Sequence, residues 1–451
     1  MRKIVVIACP VATRSGYGAH SREVCRAIIN ADKYDVKIIP VRWGSTPQTA
    51  LDINRPEDKI IIDRYISGTV TFTPDIFIQI TIPNEFQPIG RYNIGITAGI
   101  ETTRCRPEWI EGCNKMDVIV ATSQFTRDVF MNTAYDKKEK NGQLTKVEIN
   151  KPIVVISEGL DLEIFSDRTS KGELTDYIND MIPEEFCFLF AGHWLQGDIG
   201  HDRKDVGMLV KTFMEAFLRK AKHNRPALIL KTSMAGFSIV EKVQIEEKLQ
   251  SIRNMIFSMG WKGSLPNVYV VYGELTDSEM NELYNHPKVK AMVSLHKGEG
   301  FGKTLLEFTR TGKPLIASDW SGPVDFLNPN YSYLLPGKVA PVHQSAVNDF
   351  IIKDSEWFTV DYALAAKVMR DVHEKYTDAA TRCMPHKKYT AENFSFAKMS
   401  GEYINLIEDI ETIVKTPVVQ NRPVEKTLTL PKLKMVKPTG ELTLPKAIKK
   451  T

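Results

Sequence analysis

Two glutamates and a set of glycines in the stretch "SLHKGEGFGKTLLEFTRTGKPLIAS", residues 294–318, have types and spacing that can do chemistry. Seven residues separate Glu299 from Glu307, and Gly298, Gly300 and Gly302 alternate around the first of them. Glycine lets a bulky phosphate approach the backbone closely, and a carboxylate accepts hydrogen bonds from hydroxyls. Gly302-Lys303-Thr304 also looks like the end of an ATPase phosphate loop. That motif needs four residues between its first Gly and its Gly-Lys-Ser/Thr. The required position holds Lys297, and Gly298 leaves only three residues between. A loop one residue short does not wrap its amides fully around phosphates, so the ATPase reading is set aside. The stretch can still hold an anion if it joins a strand to a helix. The N–H groups of Gly300, Phe301 and Gly302 would then lie at a helix N-terminus, where unpaired amides and the helix dipole favour negative charge.

The surrounding pattern supplies such a junction. "KAMVSLH" reads as a strand, "KGEGFG" as a loop and "KTLLEFTRTG" as a helix. Upstream, "KIVVIA", "DVKIIPV", "IFIQIT", "NIGITA", "DVIVAT" and "PIVVIS" are short β-branched runs with helical segments such as "GAHSREVCRAII" and "SQFTRDVFMNT" between them. Apolar strands without alternation, separated by helices, predict parallel sheets covered on both faces. The pattern lapses at "SKGELTDYINDMIPEE" and resumes with "FCFLFAG", "PALILKT", "NVYVVYG", the stretch above and "PLIASD". The expectation is α/β, with two doubly wound Rossmann-like halves over residues 1–170 and 171–390. A long late helix is expected within "AENFSFAKMSGEYINLIEDIETIV", with residues 391–415 returning toward the first half.

Composition narrows the classes further. The chain has 451 residues, too many for one core, and 43% apolar and 25% charged residues, as in ordinary globular proteins. No apolar run approaches a membrane span in length, and "MRKIVVIACPVA" reads as a first buried strand, not a leader. Cys9, Cys25, Cys105, Cys113, Cys187 and Cys383 include no C-x-x-C pair, and the nine histidines form no H-E-x-x-H or H-x-H. Reduced thiols, a cytoplasmic location and no metal centre are the expectations. The net charge is +4, but residues 416–451 hold eight Lys/Arg against two Asp/Glu, a net +6, so the remainder carries −2. That Pro- and Lys-rich tail repeats "LTLPK" and reads as a disordered extension.

The Glu299–Ser318 block resembles the signature of family-4 retaining glycosyltransferases of GT-B fold, E-x₇-E in the setting "EGFG…E…G.P.I". The similarity runs over most of residues 1–415. "SGYGAHSREVCRAI" resembles the family's N-terminal glycine loop, and "ETTRCRPEWIEGCNKMDVIVATSQFTRDVF" an acceptor-side segment of one branch. "ISEGLDLEIF" is similar to the close of the first domain, and "HDRKDVGMLVKTF" to the Arg-Lys motif opening the second. The resemblance implies transfer of a sugar from a nucleotide-diphosphate sugar, a UDP-sugar above others, to an acceptor hydroxyl with retention of configuration. Glu307 would accept the donor ribose hydroxyls, and Glu299 would position the donor sugar and stabilise charge at the reacting carbon. Arg203 and Lys204 would neutralise the departing diphosphate, with the amides of Gly300, Phe301 and Gly302 and the loop at Gly16 and Gly18 beside it. The family often carries a second Arg after the first strand of this domain; here "GHW" stands there, with His193, and Arg203 is the substitute. Glu101 occupies the place of a family His facing the reacting carbon, as an acceptor-orienting base or a structural carboxylate. Trp109 reads as core or cleft wall, and His20 and His296 as packed residues near the motifs.

The implied chemistry is a front-face reaction in which the leaving phosphate oxygen takes the acceptor proton. No D-x-D motif is present, so no cofactor or metal is expected beyond the nucleotide-sugar co-substrate. The acceptor is expected to be carbohydrate or lipid-linked, with peripheral membrane contact possible through the basic tail. The alternative is a transferase acting on hydroxymethylated DNA bases, the +6 tail meeting phosphate. A nucleotide-sugar epimerase or a non-catalytic sugar-nucleotide binder stand behind these.

Overall fold

Residues 2–66, 70–138, 142–167, 172–234 and 238–415 are described in a computed structural model. The basic tail and its repeat lie outside these residues. The first half contains β1 (Ile4–Cys9), β2 (Asp35–Pro40), β3 (Ile76–Ile80), β4 (Tyr92–Thr97), β5 (Val118–Ala121), the antiparallel pair β6 (Tyr135–Lys138) and β7 (Leu144–Val147), and β8 (Ile153–Val155). Its helices are α1 (Gly16–Asn30), α2 (Pro56–Ile62), α3 (Pro107–Cys113) and α4 (Gln124–Asn132). The sheet runs β2-β1-β3-β4-β5-β8, every pair parallel.

After α5 (Glu173–Met181), the second sheet is built from β9 (Cys187–Ala191), β10 (Ala227–Lys231), β11 (Val268–Val271), β12 (Val289–Ser294), β13 (Leu315–Ser318) and β14 (Tyr333–Leu335). Their order is β11-β10-β9-β12-β13-β14, again all parallel. Between these strands lie α6 (Val206–Phe217), α7 (Ile239–Ser258), α8 (Asp277–Asn285) and α9 (Lys303–Thr309). An antiparallel arm, β15 (Gly337–Pro341) and β16 (Glu356–Val360), precedes α10 (Tyr362–Glu374), α11 (Tyr376–Cys383), α12 (His386–Asn393) and α13 (Phe396–Lys415).

The apolar runs end up buried on both faces because successive side chains of a strand point to opposite sides. In β9, Phe188 and Phe190 join the cluster with Val210 and Phe213 of α6 and Ile252 of α7, whereas Leu189 and Ala191 join the cluster with Leu283 of α8 and Leu306 of α9. In β1, Val5 and Ile7 pack with Val24 and Ile28 of α1 and with Tyr403, Leu406 and Ile407 of α13, whereas Val6 and Ala8 face Ile39 and Phe77. So α13 completes the first lobe's core, although it follows the second in sequence. Trp109 is core, packed at 6.5 Å from Phe130. All six cysteines are buried and free.

The late helix forms and returns to the first lobe, but it begins at Phe396 and not at Ala391. The helical run is broken at Phe394–Ser395, between α12 and α13, because the chain there bonds another segment: Leu160 N–H donates to Phe394 O (2.8 Å) and Phe396 N–H to Leu160 O (2.9 Å). The arm also joins the lobes, through Thr103 N–H to Glu356 O at 2.9 Å and Glu356 N–H to Thr103 Oγ1 at 3.0 Å.

Candidate active site

In an open α/β sheet, ligands bind beyond the carboxyl ends of the strands, where the strand order reverses. In the second sheet this point lies between β9 and β12, so the loops 192–205 and 295–302 open onto one crevice. The first of these ends in Asp202-Arg203-Lys204-Asp205, and its outer two acids turn inward. Asp202 Oδ2 accepts Val206 N–H (3.0 Å) at the start of α6. Asp205 takes a left-handed backbone (φ 54°), receives the Tyr362 hydroxyl at 2.6 Å and pairs with buried Lys297 at 3.3 Å. That anchoring leaves the middle two residues, the cations, facing the other loop.

They meet Glu299 there. Lys204 Nζ pairs with Glu299 Oε1. Arg203 Nη1 lies 3.2 Å from Glu299 Oε2 and 3.2 Å from Glu101 Oε1, and donates to Gly298 O at 3.0 Å. Glu101 follows β4 of the first lobe, so the chain Glu101–Arg203–Glu299–Lys204 alternates charge across the cleft. Burial opposes ionisation of Glu299, but Lys204 and Arg203 outweigh it and hold its pKa at about 2. The Arg203 pKa is raised, burial being overcome by Glu101 and Glu299. His193 also lines the cleft, held by Ser233 Oγ at 3.0 Å, but burial, Lys204 and Arg203 lower its pKa to about 4. It is neutral near pH 7 and supplies no cation where the family's second Arg would stand. His296 is buried between Ser294 Oγ (3.1 Å) and the Trp320 carbonyl (3.4 Å).

The 295–302 loop sits hard against the first lobe. A Cβ on Gly298 would lie 2.0 Å from the Glu101 carbonyl oxygen, so only glycine fits that approach. The Ser123 hydroxyl donates to Gly300 O (2.5 Å), and Gly302 takes φ 95° as the chain turns into α9. Gly300, Phe301 and Gly302 line the cleft, with the Phe301 ring packed into the core beside Phe326 at 5.3 Å. In the first lobe Gly16 lines the cleft too, and a Cβ there would meet nothing within 4 Å. Gly18 is a packing glycine: it is buried against the Thr13 carbonyl, and its amide is donated to Ser15 Oγ at 3.0 Å, capping α1.

The cleft encloses about 420 Å³. A second cavity of about 690 Å³ adjoins it and takes in Glu307, Thr276, Asp277 and the arginines Arg14, Arg22, Arg26 and Arg55. Lys303 lines both spaces. Glu307 is therefore near Glu299 in sequence but opens on the neighbouring space, where it accepts the Tyr284 hydroxyl at 3.0 Å. Burial drives its pKa up to about 8; Lys303 opposes that and Asp277 adds to it. Lys303 bridges the lobes by pairing with Glu23 of α1 and the Gly159 carbonyl.

Sequence reasoning passed over several residues of the wall. Tyr17 stacks on Trp43 (4.2 Å, 26°) and its hydroxyl bonds Thr97 Oγ1 at 2.9 Å and Ala98 N–H at 3.1 Å. Glu158 and Lys303 also line the cleft. An aromatic three residues ahead of a helical His was the available signal for Tyr17; nothing in the sequence pointed to Glu158.

No protein-family model matches the chain, and a search of the curated proteins finds no match. Solved structures do match. Sucrose-phosphate synthase from Thermosynechococcus elongatus is 12% identical, with a TM-score of 0.59, over 91% of this chain and 100% of that one. Anabaena HepE, in complex with UDP and glucose, is 11% identical, with a TM-score of 0.58, over 90% and 100%. A glycosyltransferase from Rickettsia africae is 15% identical, with a TM-score of 0.55, over 92% and 99%. With the two facing parallel sheets, these define the class: the chain has the GT-B fold. No helix among the described residues is long and apolar enough to cross a membrane.

Proposed function

We propose that this chain is a retaining glycosyltransferase that moves a hexosyl or pentosyl group from a nucleotide-diphosphate sugar, with UDP the carrier, to an acceptor hydroxyl. The observation that carries the reading is the Glu101–Arg203–Glu299–Lys204 chain at the switch point of the second sheet, facing the first lobe. Complexes of the structural neighbour HepE with UDP and with UDP-glucose support the choice of donor.

The residues divide the work by position. Two partly buried cations meet a departing diphosphate, whose developing charge needs fixed positive groups already oriented for it. Glu299 stays a carboxylate throughout the neutral range and lies between them, suited to orienting a sugar and countering positive charge at its reacting carbon. Glu307, in the adjoining space, receives the ribose hydroxyls, and Lys303 stands between these two halves of the donor. Glu101 reaches Arg203 from the acceptor side. The stacked Tyr17–Trp43 pair offers a flat apolar face to a carbohydrate acceptor. The lobe contacts at Gly298 and Gly300 exclude water, which protects the donor from hydrolysis.

A thermal-shift screen of nucleoside diphosphates and their sugars tests the donor assignment, since a ligand of the folded state raises the melting temperature by mass action. UDP and a UDP-sugar are expected to give the largest shifts, and turnover of the same compound with a hydroxyl acceptor is expected to release UDP. No shift with any nucleoside diphosphate would overturn the reading.

A further inference from the structure

One group of side chains, two of them buried and one partly buried, takes no part in the transfer scheme. His20 and Glu23 stand three residues apart on α1, so they share one helix face, and Glu158, just after β8, comes up against them. One ligand atom from each lies within 4.8 Å of the others. His20 Nδ1 is 3.6 Å from Glu23 Oε2. The groups are held in place from outside: His20 Nε2 bonds the Tyr403 hydroxyl (3.1 Å), and Gly159 N–H donates to Glu23 Oε2 at 3.3 Å. Yet Glu158 Oε2 has no hydrogen-bond partner although Glu158 is 6% exposed, and His20 Nδ1, on a residue 3% exposed, has none nearer than its ion-pair contact with Glu23 Oε2. Buried polar atoms left without partners are rare in native proteins and call for an occupant.

We infer that His20, Glu23 and Glu158 form a binding site for a divalent transition-metal ion. One imidazole nitrogen and two carboxylates suit Mn²⁺ or Zn²⁺, and three protein ligands leave positions open for water or a ligand oxygen. The bond from the second ring nitrogen to Tyr403 is the outer support that metal-binding histidines characteristically have; it fixes the ring with Nδ1 turned toward Glu23 Oε2. Lys303 engages Glu23 through Oε1 and leaves Oε2 to the cluster. One ammonium serves a junction that Glu23, Glu158 and Glu307 all face electrostatically. His20 and Glu158 line the cleft and Glu23 the adjoining cavity, so the ion lies where those spaces meet. This departs from the metal-free expectation, which rested on motifs within short segments.

Metal uptake does not depend on the sugar-transfer reading. The full chain, stripped with a chelator and dialysed, is titrated calorimetrically with MnCl₂, ZnCl₂ and MgCl₂ in turn, without nucleotide. A single saturable site for Mn²⁺ or Zn²⁺ is expected, weakened at least about tenfold in Glu158→Gln and in His20→Gln. Glu158→Gln keeps the side-chain volume and carries the test if His20→Gln fails to fold. No saturable uptake, or uptake unchanged in Glu158→Gln, overturns the site; ions would then be held elsewhere, as at the stacked surface pair His201–His343. A parallel titration with UDP separates the two claims. UDP binding without metal uptake removes the site and leaves the transfer reading; metal uptake without UDP binding does the reverse.

Discussion

The two lobes share an architecture and differ in what their loops carry. In the second, the loops beyond β9 and β12 bring Arg203, Lys204 and Glu299 into direct ion pairs, backed by the buried Lys297–Asp205 pair. In the first, the corresponding edge presents a Tyr–Trp stack, threonines and the carboxylate Glu101. A parallel sheet with covered faces is indifferent to these choices, because the loops contribute little to its core. The difference teaches that the repeated fold is a holder. Charge is concentrated where a charged leaving group would depart, and flat apolar surface where a less charged partner would enter.

That contrast can be broken first at Glu299. Glu299→Gln, and to a lesser degree Lys204→Ala, should lower turnover by about 10²–10³-fold, the cost typical of losing one preorganised electrostatic contact. Steady-state kinetics in which both variants match the parent would remove the ion chain from the chemistry.

Glu307 sharpens the division within the second lobe. Glu307→Ala should weaken donor binding by about 1.5–3 kcal/mol, the worth of a hydrogen bond to a charged group, in calorimetry. Its pH dependence has a definite sign. The groups acting on it are Lys303 on its own helix, Tyr284 and Asp277 on α8, and Glu23 on α1, and the net result is a pKa of about 8 in the folded chain. Accepting two ribose hydroxyls favours the ionised form, so donor binding at pH 7 should release a proton and tighten as pH rises through about 8. Folding shows the mirror effect: a raised folded pKa gives stability that is fully present below the usual 4.5 and is lost as pH climbs through about 8. Both dependences should vanish in Glu307→Gln.

The first lobe predicts a smaller effect. Trp43→Ala should raise the acceptor KM by about 0.5–1.5 kcal/mol, the worth of an aromatic contact beyond its area, and leave donor affinity alone. A changed donor affinity instead would assign the stack to the wrong partner. The smallest effect belongs to the interlobe pair Arg14–Glu274, at 2.8 Å and about a quarter exposed. Arg14→Ala should cost at most about 1 kcal/mol in thermal unfolding, as solvent-screened pairs do.

Much of the fold was legible because it rests on local pattern. The runs "KIVVIA" and "FCFLFAG" are strands in both readings, and the loop from Lys297 to Gly302 does join β12 to α9. The late helix was legible over most of its length, but its start was read five residues early, because the break at Phe394–Ser395 comes from bonds to Leu160, more than two hundred residues away in sequence. Glu101, Arg203, Lys204 and Glu299 were legible as candidates through the resemblance to the glycosyltransferase family. Their pairing was not, and neither was the separation of Glu307 into an adjoining cavity. Gly18 shows the opposite limit: its place in a glycine loop suggested a phosphate contact, whereas its amide closes the cap of α1.

By itself, the sequence determined the alternation of strand and helix, the burial of both sheets on both faces, and the presence of two carboxylates and two cations in loops. These follow from side-chain periodicity and backbone preference, which act over a few residues. Only the tertiary structure decided which charges meet, that Glu307 opens on an adjoining cavity, and that His20, Glu23 and Glu158 stand together. The physical reason is distance along the chain: ionisation and ligand geometry depend on neighbours within a few ångströms, and folding recruits those neighbours from distant segments, such as those of Arg203 and Glu299, 96 residues apart.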